Sequence, residues 1–66
     1  MEGHHIICGF GRIGSIVAKE LYGKNEKFVV IEKDPEKIRI LQEKGFPYIE
    51  GDATKEETLL MANIKS

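Results

Sequence analysis

The apolar positions of the chain gather in short runs, Ile6 to Cys8, Phe28 to Ile31 and a weaker one around Tyr48 and Ile49, and each run is followed by a stretch with apolar residues three or four apart. Runs of consecutive apolar residues, in place of strict alternation, predict strands buried on both faces, as in a parallel sheet. His5 to Cys8 is the expected first strand. Ile13 to Tyr22 is the expected first helix, with Ile13, Ile16, Val17 and Leu21 at helical spacing and Gly23 as its stop. Lys27 to Ile31, rich in β-branched residues, is the second strand. Asp34 followed by Pro35 reads as the N-cap and first residue of a second helix, which carries Ile38 and Leu41 and ends at Gly45. Tyr48 to Glu50 is a short third strand with Pro47 at its entry. Thr54 with Glu57 forms a capping box that opens a last helix through Asn63, carrying Leu59, Leu60 and Ile64.

Three strand-then-helix repeats compose a βαβαβα half unit of the Rossmann-like α/β class: a three-stranded parallel sheet of order 3-2-1, forming one domain over residues 1–66. Right-handed crossovers place the first two helices on one face and send the third across to the other. A fourth strand would then lie beside the first; the sequence holds none, so the first strand has an open edge that invites pairing with another chain.

Composition sharpens that expectation. A chain of 66 residues buries only about 60% of the surface its unfolded form exposes. The single cysteine, Cys8, excludes an internal disulfide, and no Cys/His cluster has zinc spacing. His4 and His5 are adjacent in an extended segment, point to opposite faces and read as structural. Self-association through the open edge of the first strand is the expected remedy, and Cys8 reads as a small buried packing residue. Lysine plus arginine (10) nearly balance aspartate plus glutamate (11), leaving a net charge of -1, so nucleic acid and anionic lipid are not expected partners. The apolar runs fall far short of the roughly 20 residues of a membrane span. Met1 leads into Glu2, Gly3 and two histidines with no basic stretch before an apolar one, so no leader peptide is expected. A reduced, cytoplasmic setting is expected.

Gly9, Gly11 and Gly14 spell G-x-G-x-x-G between the first strand and the first helix. In that context the first glycine permits a tight turn, the second lets the backbone approach a pyrophosphate, and the third lets the helix pack closely on the sheet. Free N–H groups and the positive end of the helix dipole favour an anion there. Taken alone, the glycines fit a tight turn without a ligand as well. Glu32, at the end of the second strand, is placed to accept hydrogen bonds from both ribose hydroxyls of an adenosine, which favours NAD or a simple adenine nucleotide over NADP; the neighbouring Lys33 weakens that exclusion slightly. Arg12 opposes the helix dipole by roughly 0.3 to 1 kcal/mol, a penalty that a bound phosphate reverses. Asp52, in the Gly51 to Thr54 turn, either meets an adenine or shapes the turn, and Thr54 is assigned to capping.

With "ICGFGRIG", "FVVIEKDPEK" and "YIEGDATKEETLLMANI" in order, the chain resembles the TrkA N-terminal domain family, also called the regulator of K⁺ conductance N-lobe. The arginine inside the glycine loop, the D-P-E start of the second helix and the G-D-A-T block together make the likeness more specific than a generic dinucleotide fingerprint. The resemblance implies a cytoplasmic regulatory domain of a potassium channel or potassium transport system, at the inner face of the membrane, that binds NAD(H), ATP, ADP or AMP and gates ion flux. It further implies that Gly9, Phe10, Gly11, Arg12, Ile13 and Gly14 form the phosphate loop, that Glu32 and Lys33 contact the ribose, and that Asp52 and Ala53 contact the adenine. The family's N-lobe continues past the third strand, so a nicotinamide-binding half, later dimer surfaces, a C-lobe and calcium sites fall outside this sequence. The competing expectation is the cofactor-binding fragment of an NAD-dependent oxidoreductase; a third is a scaffold that binds nothing. Tyr22 and Tyr48 lack a lysine at catalytic spacing and no histidine sits at a strand end to act as acid or base, so no catalytic residue is assigned and a non-enzymatic module is expected.

Overall fold

The computed structural model describes residues 4–65, the side chain of Lys65 excepted; Met1 to Gly3, read above for a leader peptide, lie outside them. In chain order the elements are β1 (His5–Cys8), α1 (Arg12–Gly23), β2 (Phe28–Glu32), α2 (Pro35–Lys44), β3 (Tyr48–Glu50) and α3 (Glu56–Lys65). The strands form one parallel sheet in the order β1-β2-β3, as the consecutive apolar runs predict. Cys8 pairs with Ile31, and Ile31 pairs with Ile49. The three strands therefore end nearly level, and the loops that follow them meet at one edge of the sheet.

β2 is the central strand and every one of its residues is buried. Its alternate side chains feed two cores. On the face covered by α1 and α2, Phe28 and Val30 pack with Ile7, Phe10, Ala18, Leu41 and Phe46; on the other, Val29 and Ile31 pack with Ala62 of α3. The helices are shared between the two faces as expected, α1 and α2 on one and α3 on the other.

Phe46 is the hub of the larger core. Its ring lies 6.1 Å from Phe10 and 5.5 Å from Phe28, both edge-on, and 4.8 Å from Tyr22, arrangements that suit the quadrupoles of aromatic rings. A local signal delivers it there. Asp34 caps α2 by accepting the Glu36 N–H at 3.0 Å, and Gly45 closes the helix in the left-handed region at φ 72°. The N–H of Phe46 donates to the Leu41 carbonyl and that of Gly45 to the Gln42 carbonyl, a Schellman motif that brings Phe46 onto Leu41.

Several local expectations are corrected. α1 runs through Gly23, and the left-handed residue that ends it is Asn25, at φ 59°. Asparagine tolerates that region because its short polar side chain bonds locally, so Gly23 is not the stop. Ile13, Ile16 and Val17 face outward, at 71%, 61% and 41% exposure, and the sheet-facing residues are Ala18 and Leu21. The reason is close approach: Gly14 packs against the glycine loop, and Ala18, one turn on, continues that thin face. β2 is displaced by one residue from the expected span, to Phe28–Glu32. The capping box of α3 does not form; the Thr54 hydroxyl donates to Asp52 at 2.7 Å, and α3 buries Thr58 and Ala62, while Leu59, Leu60 and Ile64 are exposed.

Candidate functional site

The loop after β1 is shaped by its first and third glycines. Gly9 continues the ladder, its N–H donating to the Ile31 carbonyl at 2.8 Å, and then turns at φ 95°, a region L side chains avoid. A β-carbon on Gly14 would run into the Gly9 carbonyl oxygen and sit 3.3 Å from Ile7 Cγ2. Only glycine therefore lets α1 start against this turn. A β-carbon on Gly11, by contrast, would meet nothing within 4 Å, so the space over the middle of the loop is open to a ligand.

Gly11 is the N-cap of α1 and no side chain caps this end. The first-turn N–H groups have no preceding carbonyls to bond and carry the positive end of the dipole. Arg12 is exposed and has no ion-pair partner among the described residues. Phe10 differs from the other loop residues: its ring is buried in the aromatic core, which pins the loop from below.

Glu32 ends β2 with only 7% of its surface exposed. Oε1 accepts the Phe10 N–H at 2.6 Å, and Oε2 accepts the N–H groups of Lys33 at 3.0 Å and Asp34 at 2.9 Å. Burial pushes its carboxyl up, but the N–H groups of Phe10, Asp34 and Lys33, aided by the charge of Lys37, more than offset this and hold it below its ordinary value. The carboxylate ties the glycine loop to the end of β2. This bond has only a faint signal in the sequence, a carboxylate at the end of a strand that is otherwise wholly apolar.

Beyond β3, Asp52 accepts both the N–H and the hydroxyl of Thr54 through Oδ1, at 2.8 and 2.7 Å, which makes it a turn former as well as a wall of the site. Those two bonds hold its carboxyl below the ordinary value, the hydroxyl first, with further help from Lys33 and Lys55. A β-carbon on Gly51 would come 3.0 Å from Thr58 Cγ2, so this turn sits close under α3.

These segments enclose a cleft of about 180 Å³ lined by Cys8, Gly9, Ile31, Glu32, Lys33, Gly51, Asp52 and Ala53. The structure thus brings together Gly9, Glu32, Lys33, Asp52 and Ala53 from three separate loops. Gly11, Arg12 and Ile13 lie outside the cleft, at the start of α1, and Phe10 and Gly14 serve the packing of the loop. The volume is below the roughly 300 to 1,000 Å³ that encloses a drug-sized ligand, so the cleft can bury one end of a nucleotide, with phosphates reaching toward Arg12. Cys8 is exposed in this cleft, contrary to the packing role expected of it. α3 makes its main contacts with β2 and β3, and on that face of β1 Ile6 is partly buried against the Val29, Ile31 and Ala62 cluster while Cys8 is left open. His5 lies 3.7 Å from Glu26, and the ring nitrogens of His4 are buried without a hydrogen-bond partner among the described residues.

The fold and the placement of this cleft at the carboxyl ends of parallel strands define a Rossmann-like half unit. The TrkA-N domain profile matches residues 5–66, and the chain belongs to the TrkA-N domain family. It is 39% identical over 67 residues to the probable potassium channel protein 2 of Methanocaldococcus jannaschii, a match covering 97% of this chain and 20% of that protein. It is 39% identical over 59 residues to the glutathione-regulated potassium-efflux system protein KefC of Cronobacter sakazakii, covering 89% of this chain and 10% of that one. The crystal structure of the TrkA-N domain of inner membrane protein ybaL from Escherichia coli superposes with a TM-score of 0.82 at 32% identity, over 91% of this chain and 44% of that chain. The chain spans a fifth or less of the length of these curated relatives.

Proposed function

We propose that this chain is the adenine-nucleotide-sensing part of a potassium channel or potassium transport system, acting at the cytoplasmic face of the membrane without catalysing a reaction. The cleft carries this reading: Gly9, Glu32, Lys33, Asp52 and Ala53 line one space beside the uncapped start of α1. Adenosine occupies the cleft, its ribose at Glu32 and Lys33 and its base at Asp52 and Ala53. The phosphates of NAD(H), ATP, ADP or AMP lie over Gly11 at the first turn of α1, where Arg12 and the helix dipole both favour negative charge. The relatives named as potassium channel and potassium-efflux proteins support the transport assignment. Binding controls ion flux by favouring one arrangement of neighbouring chains over another. A second copy is the natural neighbour, because the outer edge of β1 has no paired strand among the described residues and the exposed Ile13, Ile16 and Val17 of α1 supply apolar surface for it.

Calorimetric titration with NAD, NADH, ATP, ADP and AMP tests the reading. At least one binds, and Arg12→Ala weakens that ligand without disturbing the fold, since Arg12 is exposed and has no ion-pair partner among the described residues. Bound nucleotide also shields Cys8 from a thiol reagent. A folded protein that takes up none of the five at millimolar concentration ends the proposal.

A further inference from the structure

We propose that the outer edge of β3 is a docking site for an extended polypeptide segment bearing lysine or arginine, which joins the sheet there as a further strand. A second concavity, of about 450 Å³, lies at this edge and is lined by Phe46, Pro47, Tyr48, Ile49, Glu50 and Met61. It shares no residue with the nucleotide cleft, and its volume falls in the range of roughly 300 to 1,000 Å³ that accepts a ligand. The backbone at this edge is free. In a parallel ladder alternate residues bond to one neighbour, and the residues between them turn their N–H and C=O groups the other way. The Val30 N–H donates to the Pro47 carbonyl and the Gly51 N–H to the Glu32 carbonyl, each at 3.0 Å, so Pro47, Ile49 and Gly51 address β2. Tyr48 and Glu50 therefore present their backbone groups outward, where no strand lies among the described residues. An extended segment can exchange hydrogen bonds with those two residues and seat an apolar side chain against Ile49 and the exposed Met61.

Charge selects the occupant. Glu50 is the one charged residue of the lining; it is exposed and forms no ion pair among the described residues. Glu57, also exposed and without an ion pair among them, lies one turn before Met61 on the same ridge of α3. No lysine or arginine lines the concavity, so a cationic side chain on the incoming strand gains two carboxylates and meets no like charge. A second copy is a poor fit: joining two β3 edges about a two-fold axis brings the Glu50 carboxylates of both copies together, and like charges on paired strands destabilise the pair. The cytoplasmic flanks of membrane helices are rich in lysine and arginine. On the transport assignment made above, the occupant is such a flank of the membrane partner. The docking chemistry itself depends neither on that assignment nor on a bound nucleotide.

The test is a titration of the 66-residue chain with the blocked peptide KVKFKVK, whose lysines fall on one side of an extended chain and whose apolar residues fall on the other, with EVEFEVE as its control. KVKFKVK binds, and hydrogen exchange followed by NMR shows the Tyr48 and Glu50 amides, fast in the free chain, slowed in the complex. The Ile6 and Cys8 amides keep their rates; they face the outer edge of β1, because the His5 and Gly9 amides donate to the Lys27 and Ile31 carbonyls. EVEFEVE binds at least about tenfold more weakly, and Glu50→Lys and Glu57→Lys each weaken KVKFKVK by about fivefold, an exposed attraction being exchanged for a repulsion. No binding at millimolar peptide, equal affinity for the two peptides, or an affinity unchanged in both variants would overturn the inference. Slowed exchange at Ile6 and Cys8 in place of Tyr48 and Glu50 would overturn it by placing the added strand on β1. Tyr48 and Glu50 amides already protected in the free chain, and more so as it is concentrated, would overturn it by showing a second copy on this edge. Failure of every nucleotide to bind leaves this inference standing, because the two sites share no residue.

Discussion

The two faces of the sheet are built on different plans. The α1/α2 face holds Phe10, Phe28, Phe46 and Leu41 in one buried cluster, and the rings meet at preferred angles. The α3 face buries Val29 and Ile31 against Ala62, with Thr58 also buried on α3 and Ile6, Ile49 and Ala53 at the margin. Leu59, Leu60, Met61 and Ile64 of α3 remain exposed. Burial free energy follows apolar area, so most of the stability of this small unit resides on one face. The site straddles the divide. Its loop is anchored through Phe10 into the strong face, while its Gly51–Ala53 wall sits under the weak one and is tied to β2 by the Gly51 N–H, which donates to the Glu32 carbonyl at 3.0 Å.

The comparison is broken most directly at the hub. Phe46→Ala is expected to cost about 3 to 5 kcal/mol, against a total stability of about 3 to 10 kcal/mol for a chain of this size. The variant should be largely unfolded in urea-free buffer by circular dichroism. If it folds with near-normal stability, the asymmetry between the faces is wrong. A smaller loss follows from Gly14→Ala. Its new methyl meets backbone, the Gly9 carbonyl, and cannot be accommodated by a side-chain rotation; α1 must shift, at about 1 to 3 kcal/mol. Urea unfolding measures the loss, and ADP affinity should fall with it because the loop moves.

The strong face and its caps were the legible part of the molecule. Asp34, Pro35 and Gly45 act within a few residues of themselves, and α2 forms where they place it. The glycine loop was legible for the same reason, since a G-x-G-x-x-G turn is a local geometric demand. What the sequence concealed was orientation. α1 carries two apolar arcs, and the bulkier one, Ile13, Ile16 and Val17, turns outward because Gly14 and Ala18 allow the helix to approach the sheet. Bulk points the wrong way when close approach decides the packing. Glu32 was located but not understood. Its place at the end of the second strand suggests a ribose contact, while its bonds to Phe10, Lys33 and Asp34 depend on where two distant loops end. The exposure of Cys8 is not legible in the sequence, because it depends on how far α3 reaches across the sheet.

Acid provides a graded test of the anchor between loop and sheet. The carboxyl of Glu32 titrates below its ordinary value of 4.5 in the folded chain, so on acidification the unfolded chain takes up the proton first. Its contribution to stability is complete above that value and is lost as pH falls through the folded value. Asp52 acts with the same sign. The urea midpoint should therefore decline with pH below about 4.5, and Glu32→Gln should flatten the decline while lowering the plateau at neutral pH. A slope unchanged in that variant would show that the tie between Glu32 and the glycine loop does not form in solution.

The smallest effect belongs to the weak face and is the most informative about it. Ile64 is 78% exposed and Leu60 54%, so Ile64→Ser and Leu60→Ser should each stay within about 0.5 kcal/mol of the parent chain, measured by urea unfolding at micromolar concentration. The comparison of faces rests on α3 spending these side chains in water. A cost of several times that size, growing as the protein is concentrated, would mean that a second chain covers α3 and that its apolar residues serve an interface in place of the core. A cost independent of concentration would mean that α3 packs on the sheet by a different face, with Ala62 turned away. An unchanged midpoint at every concentration assigns the rigidity of the site to the glycine loop, β2 and α2, and leaves α3 as a cover that the base end of a ligand can displace.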